Sequence, residues 1–239
     1  MAYEKKYSLW AEKHQQREWA SSEWGTALKS RDMLGQRVGI LGYGSIGRQV
    51  GRGAKAFGME VFAFTSKPRD TPESRKAQEY YLDGTGDPDG TIPLQWFSGT
   101  DKQSLHGFLS QRLDLLVLTM PSTPKSRHLL GKEEFAILAQ HSPTGGAFLS
   151  NIARADIVKQ DELVEALDAH GSGIIGAALD TADPEPLPKE SPLWDAPNCF
   201  ITPHMSSLHN RFVDRVFEIM GSNIERGFDK PFINEIHRS

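Results

Sequence analysis

The sequence is poor in cysteine, in long apolar runs and in surplus positive charge. Cys199 is the only cysteine among 239 residues, so no internal disulfide can form, which fits a reducing compartment. No stretch approaches the roughly 18 consecutive apolar residues of a membrane helix. The charged opening MAYEKKYSLWAEKH does not read as a signal peptide. A cytoplasmic protein with no membrane partner is therefore expected. The net charge of -4 provides no field for nucleic acid, so none is expected as a partner either. No internal repeat is visible, and no metal site is expected. What is present, 38% hydrophobic and 24% charged residues, is the composition of a globular chain with a real core.

Short apolar strands alternate with helical patterns. RVGIL (37–41), EVFAF (60–64), LDLLVL (113–118), AFLSN (147–151), GAALD (176–180) and CFITP (199–203) read as strands. A helix follows the first, with Ile46, Val50, Ala54 and Phe57 on one face. Others are expected around 132–140 and 161–170, the latter with Leu163, Ala166 and Leu167 inward. This alternation predicts an α/β fold, a Rossmann-type doubly wound parallel sheet covered on both faces. We assign residues 35–206 to that domain, 1–34 to a helical arm, and 207–239 to a C-terminal helix and tail. Residues 66–100 sit outside that rhythm, rich in Gly, Pro, Asp and Thr and ending in a TGDPDGT stretch that reads as turns. Trp10, Trp19 and Trp24 either pack onto the sheet domain or face another domain or subunit. Val213, Phe217, Met220 and Ile224 recur at helical spacing and require an apolar partner.

Between the first strand and its helix lies Gly42-Tyr43-Gly44-Ser45-Ile46-Gly47, a G-x-G-x-x-G. The first glycine permits the tight turn, the second lets backbone approach a pyrophosphate, and the third lets helix and strand pack closely. The helix N-terminus then offers free N–H groups to phosphate. A dinucleotide site is expected. The second strand lacks the terminal Asp or Glu that binds the ribose hydroxyls of NAD. It ends instead in Thr65-Ser66-Lys67-Pro68-Arg69. Lys67 and Arg69 suit a 2′-phosphate, with Thr65 and Ser66 as hydrogen-bonding neighbours. The alternative is that both cations are solvated loop residues. NADP(H) is the preferred expectation and NAD(H) the other.

Three later segments complete the pattern: Asn151-Ile152-Ala153-Arg154-Ala155-Asp156, then Leu179-Asp180 through Pro184-Glu185-Pro186, then Thr202-Pro203-His204. With the glycine loop and the Asp114 to Leu130 segment, these residues resemble the D-isomer-specific 2-hydroxyacid dehydrogenases. Among them, the glyoxylate/hydroxypyruvate reductase-like members are the most similar. The resemblance implies an oxidoreductase that reduces a small 2-oxo acid to the D-2-hydroxy acid, working as a homodimer. It implies Arg154 as the cation for the substrate carboxylate, His204 as proton donor and acceptor, and Glu185 as the imidazole's partner. It also places Asp180 by the nicotinamide carboxamide, and Thr119, Pro121, Ser126 and Ile152 along the cofactor. Singly, each has a blander reading: a surface arginine, a rigid Pro-Glu-Pro loop, a histidine that caps a helix.

Two departures from the family pattern stand out. Ala155 replaces the glycine that usually follows the arginine, which strains the backbone if that position needs a positive φ. Family members also carry a substrate-domain portion ahead of the glycine loop, whereas 41 residues precede Gly42 here. Most of that portion is expected to be missing, and with it one wall of the cleft. The competing reading is a catalytically inactive, truncated NAD(P)-binding module with a regulatory or dimerisation role.

Overall fold

A computed structural model describes residues 2–77, 80–229 and 232–233. Among them, seven strands form one sheet: β1 Arg37–Leu41, β2 Glu60–Thr65, β3 Gln95–Ser98, β4 Leu115–Leu118, β5 Gly146–Asn151, β6 Gly173–Leu179 and β7 Cys199–Ile201. The helices are α1 Tyr7–Gln15, α2 Trp24–Leu28, α3 Ser45–Ala56, α4 Pro72–Arg75, α5 Lys102–Leu109, α6 Lys132–His141, α7 Gln160–Asp168 and α8 Phe212–Arg226. None is long and apolar enough to cross a membrane. Strand order is β3-β2-β1-β4-β5-β6-β7 and every pairing is parallel. The order reverses at β1 and β4, and in open sheets of this kind ligands bind outside the carboxyl ends of the strands at such a switch point.

Residues alternate between the sheet's two faces, as the pleat dictates. Leu41, Phe62, Phe64, Leu116 and Leu118 join one buried cluster with Phe108, Phe135, Leu138, Leu163 and Leu167 from α5, α6 and α7. Val38, Ile40, Val61, Ala63 and Val117 join the other, with Ala54 of α3 and with Tyr43. Strands buried on both faces read as continuous apolar runs, which is why β1, β2 and β4 are visible in sequence.

The structure adds to or differs from the sequence reading at three places. The face of α3 that meets the sheet is Gly47, Arg48, Gly51 and Ala54, while Ile46 and Phe57 are exposed. Glycines let the helix backbone close on the sheet, so the apolar stripe is only partly used. The TGDPDGT stretch does run through turns and bends, but the rest of 66–100 holds regular elements that the sequence does not show. It contains α4, capped by reciprocal Thr71 and Ser74 hydrogen bonds, and β3, an edge strand of four residues too short to register as a pattern. Of the two readings of the tryptophans, packing onto the sheet fails for Trp19 and Trp24. Trp19 is 93% exposed and Trp24 is also exposed. Tyr3 packs there instead, with its ring 4.8 Å from that of Phe148 and its hydroxyl donating to the Ile175 carbonyl at 3.1 Å. Arg31 ties down the arm by bridging Glu4 and Asp114, each at 2.5 Å.

Candidate active site

The sequence motifs gather along one edge of the sheet, because parallel strands bring all their carboxyl ends to the same side. Gly42 follows β1, Thr65 closes β2, Thr119 follows β4, Asn151 closes β5, Asp180 follows β6 and Thr202 follows β7.

The glycines divide by task. Gly42 has φ +104°, and a Cβ there would lie 2.7 Å from the Met120 nitrogen. A Cβ on Gly47 would strike the Gly42 carbonyl, and Ile40 at 3.1 Å. Both therefore serve the protein's own packing. Gly44 differs: a Cβ there meets nothing within 4 Å, so its smallness keeps space open in front of the loop. That is the fit expected for a pyrophosphate against the start of α3, where Ser45 and Ile46 are exposed. The loop is preformed, with the Gly42 and Tyr43 amides donating to the Phe64 carbonyl at 3.0 and 3.2 Å. The Thr119 hydroxyl donates to the Gly42 carbonyl at 2.6 Å, so this side chain braces the loop.

At the end of β2, Thr65 donates to the Lys67 carbonyl at 2.8 Å and turns the chain. Ser66 and Lys67 are exposed. Arg69 is only half-exposed, and its Nη1 donates to the Ser74 carbonyl at 2.5 Å. The basic end therefore comprises one outward lysine and one arginine held partly by its own loop. Pro121 is exposed and Ile152 half-buried. Ser126 is buried, and its hydroxyl donates to the Pro121 carbonyl at 3.0 Å and accepts from the Thr123 amide at 2.7 Å. It staples the 121–126 turn.

Glu185 and His204 meet. Both carboxylate oxygens lie within hydrogen-bond distance of the His204 Nδ1, at 3.0 and 3.2 Å. Their sequence separation is 19, and two loops close it. Asp180 makes that closure. Its carboxylate is buried, with Oδ1 accepting from the Thr202 hydroxyl at 2.6 Å and the Met205 amide at 3.0 Å. Oδ2 accepts from the Ser206 amide at 3.0 Å and hydroxyl at 2.5 Å. Through these four donors it grips the His204 loop. Burial alone would raise its pKa, but these hydrogen bonds bring it down to about 2. His204 itself has φ +51°, with its amide on the Asp180 carbonyl at 2.8 Å.

Arg154 is exposed, with Nη1 on the Ala153 carbonyl at 2.7 Å. Its backbone is placed by Asn151, which sequence reasoning did not single out: Oδ1 accepts from the Ala153 amide and Nδ2 donates to the Arg154 carbonyl. An Asn at a strand end followed by a turn is the one local signal for it. Ala155 begins a short 3-10 turn and is not among the positive-φ residues, so replacing glycine there brings no strain.

This sheet, glycine loop and histidine–carboxylate pair define a dinucleotide-binding domain of the dehydrogenase type. The chain belongs to the family described as D-isomer specific 2-hydroxyacid dehydrogenase, NAD binding domain, whose model matches residues 1–85 and 95–206. It is 31% identical to the human glyoxylate reductase/hydroxypyruvate reductase over 201 residues, 83% of this chain and 52% of that protein. A D-isomer specific 2-hydroxyacid dehydrogenase family protein from Aeromonas salmonicida superposes with a TM-score of 0.73 at 28% identity, covering 99% of this chain and 64% of that one. A D-isomer specific 2-hydroxyacid dehydrogenase from Xanthobacter autotrophicus, solved with NADPH and MES, gives 0.68 at 26% identity, covering 99% and 82%. The chain thus spans about half the length of the human relative.

Proposed function

We propose that the protein binds a nicotinamide dinucleotide, NADP(H) in preference to NAD(H), and reduces a small 2-oxo acid of the glyoxylate or hydroxypyruvate type to the D-2-hydroxy acid. The observation that carries this reading is the Glu185–His204 pair, 3.0 Å apart, on the same sheet edge as the open space at Gly44. The bound dinucleotide would supply the hydride taken up by the carbonyl carbon. Arg154 holds the substrate carboxylate, since a planar guanidinium suits that group and can also polarise the ketone. Glu185 engages Nδ1 of His204, leaving Nε2 to give a proton to the carbonyl oxygen in reduction and to recover it in oxidation.

Preference for NADP(H) is supported by the missing acid at the end of β2 and by the exposed Ser66 and Lys67 with Arg69 beside them. The structure of the Xanthobacter relative, solved with NADPH, points the same way. A homodimer is supported by apolar residues left exposed on α8 and by Trp19 and Trp24.

The test is calorimetry of NADPH and NADH on the purified chain, with glyoxylate-dependent NADPH oxidation followed in the same buffer. Tighter binding of NADPH together with turnover is the expected result. Binding without turnover would replace the reductase by a dinucleotide-binding module. Failure to bind either dinucleotide would overturn the whole reading.

A further inference from the structure

The family model passes over residues 86–94, yet this segment is anchored to the most buried charge on α3. Arg48, 6% exposed, donates to the Asp87 carbonyl and, through Nη2, to the Arg75 carbonyl at 2.6 Å. Its guanidinium lies over the Tyr43 and Trp96 rings at 5.5 and 5.9 Å. Asp87, 4% exposed, accepts from the Tyr43 hydroxyl at 3.1 Å and from the Thr91 and Ile92 amides at 3.0 and 3.2 Å. An arginine and a carboxylate buried this deeply are costly unless every donor and acceptor is met, which makes such a cluster rigid.

The cluster reaches the phosphate end of the candidate cofactor site through a relay of arginines. Arg48 holds the Arg75 carbonyl, Arg75 Nε holds the Arg69 carbonyl at 2.8 Å, and Arg69 Nη1 returns to the Ser74 carbonyl at 2.5 Å. Gly90 presses on the same point, since a Cβ there would lie 2.6 Å from the Arg75 Cβ. The backbone of the glycine loop is held elsewhere, by the Phe64 carbonyl and the Thr119 hydroxyl, and only its Tyr43 side chain joins the cluster.

We propose that Arg48 and Asp87 are positioning residues that lock the 66–75 loop in the shape that takes a 2′-phosphate, the 86–94 insertion acting as the wedge. This rests on the dinucleotide reading above. Pre-organising a cationic loop strengthens binding of the phosphate by lowering the ordering cost. It leaves a dinucleotide without that phosphate nearly unaffected.

The test compares NADPH and NADH affinities of the full chain with those of Asp87→Asn and Gly90→Ala, the second altering no charge. We expect NADPH to weaken by about tenfold and NADH by less than about twofold in both variants. Equal loss for both dinucleotides, or loss for neither, overturns the proposal. For a variant that does not fold, hydrogen exchange on the wild-type chain decides. Adenosine 2′-monophosphate is then expected to slow exchange at 84–92 as well as at 66–75, and protection confined to 66–75 overturns the relay. A wild-type chain that binds neither dinucleotide fails at the earlier reading and carries this one down with it.

Discussion

At the scale of single residues, the proposed mechanism separates groups that would meet the substrate from groups that aim them. His204 and Glu185 are surface-accessible and bonded to each other. On that mechanism, replacing His204 by Gln should remove the proton relay without disturbing the glycine loop. Turnover should fall by about 10²–10⁴ with NADPH affinity unchanged, as stopped-flow and calorimetry would show. A parallel loss of affinity would mean that His204 belongs to the cofactor site. Asp180 is the aiming group. Its folded pKa of about 2 lies below the roughly 3.9 of an unfolded aspartate. A depressed pKa contributes stability that is fully present above the unfolded value and lost as pH falls through the folded one. Asp180→Asn should therefore cost roughly 2 kcal/mol at neutral pH, a difference that closes below about pH 2 in denaturant melts. A constant difference down to pH 2 would mean that the charge contributes nothing.

At the scale of elements, the strand β1, the glycine loop and helix α3 make a unit in which adjacent glycines have opposite consequences. Gly42→Ala places a side chain at φ +104° and against the Met120 backbone. It should destabilise the fold by about 1–3 kcal/mol. Gly44→Ala sits at φ -86° with no protein atom in its way. Thermal stability should hold while dinucleotide affinity drops more than about tenfold, because only a ligand occupies that space. An affinity unchanged in Gly44→Ala would remove the pyrophosphate from this loop. The element scale is also where sequence reading was weakest. β1, β2 and β4 are visible because both faces are buried and their central residues are apolar. β3 has four half-buried or exposed residues, and α5 is eight residues long, so neither carries enough periodicity to stand out.

At the scale of the whole molecule, α8 has no buried residue, and Phe212, Val213, Val216, Phe217, Met220 and Ile224 are exposed along it. Trp19 and Trp24 add a second apolar area. An exposed apolar face of this size marks an interaction surface. If a second copy covers it, sedimentation velocity should show a concentration-dependent dimer that Phe217→Glu shifts toward monomer. A wild-type chain that stays monomeric at high micromolar concentration would refute the homodimer.

The sequence by itself determined the class of fold, the glycine loop and the family, because each depends on local order: strand then turn then helix, and motifs in a set succession. It also supplied Arg154, Glu185 and His204 as candidates, and the structure brings the last two into contact. Only the tertiary structure decided what side chains do when their partners are distant along the chain. Asp180 meets donors 22 to 26 residues away and turns to the histidine loop. Ser126 closes its own turn. Arg48, which sits on a helix face that the sequence pattern left unremarked, meets Asp87 at a separation of 39. Hydrogen bonds of buried polar groups follow the three-dimensional neighbourhood, and no periodicity in the chain encodes that.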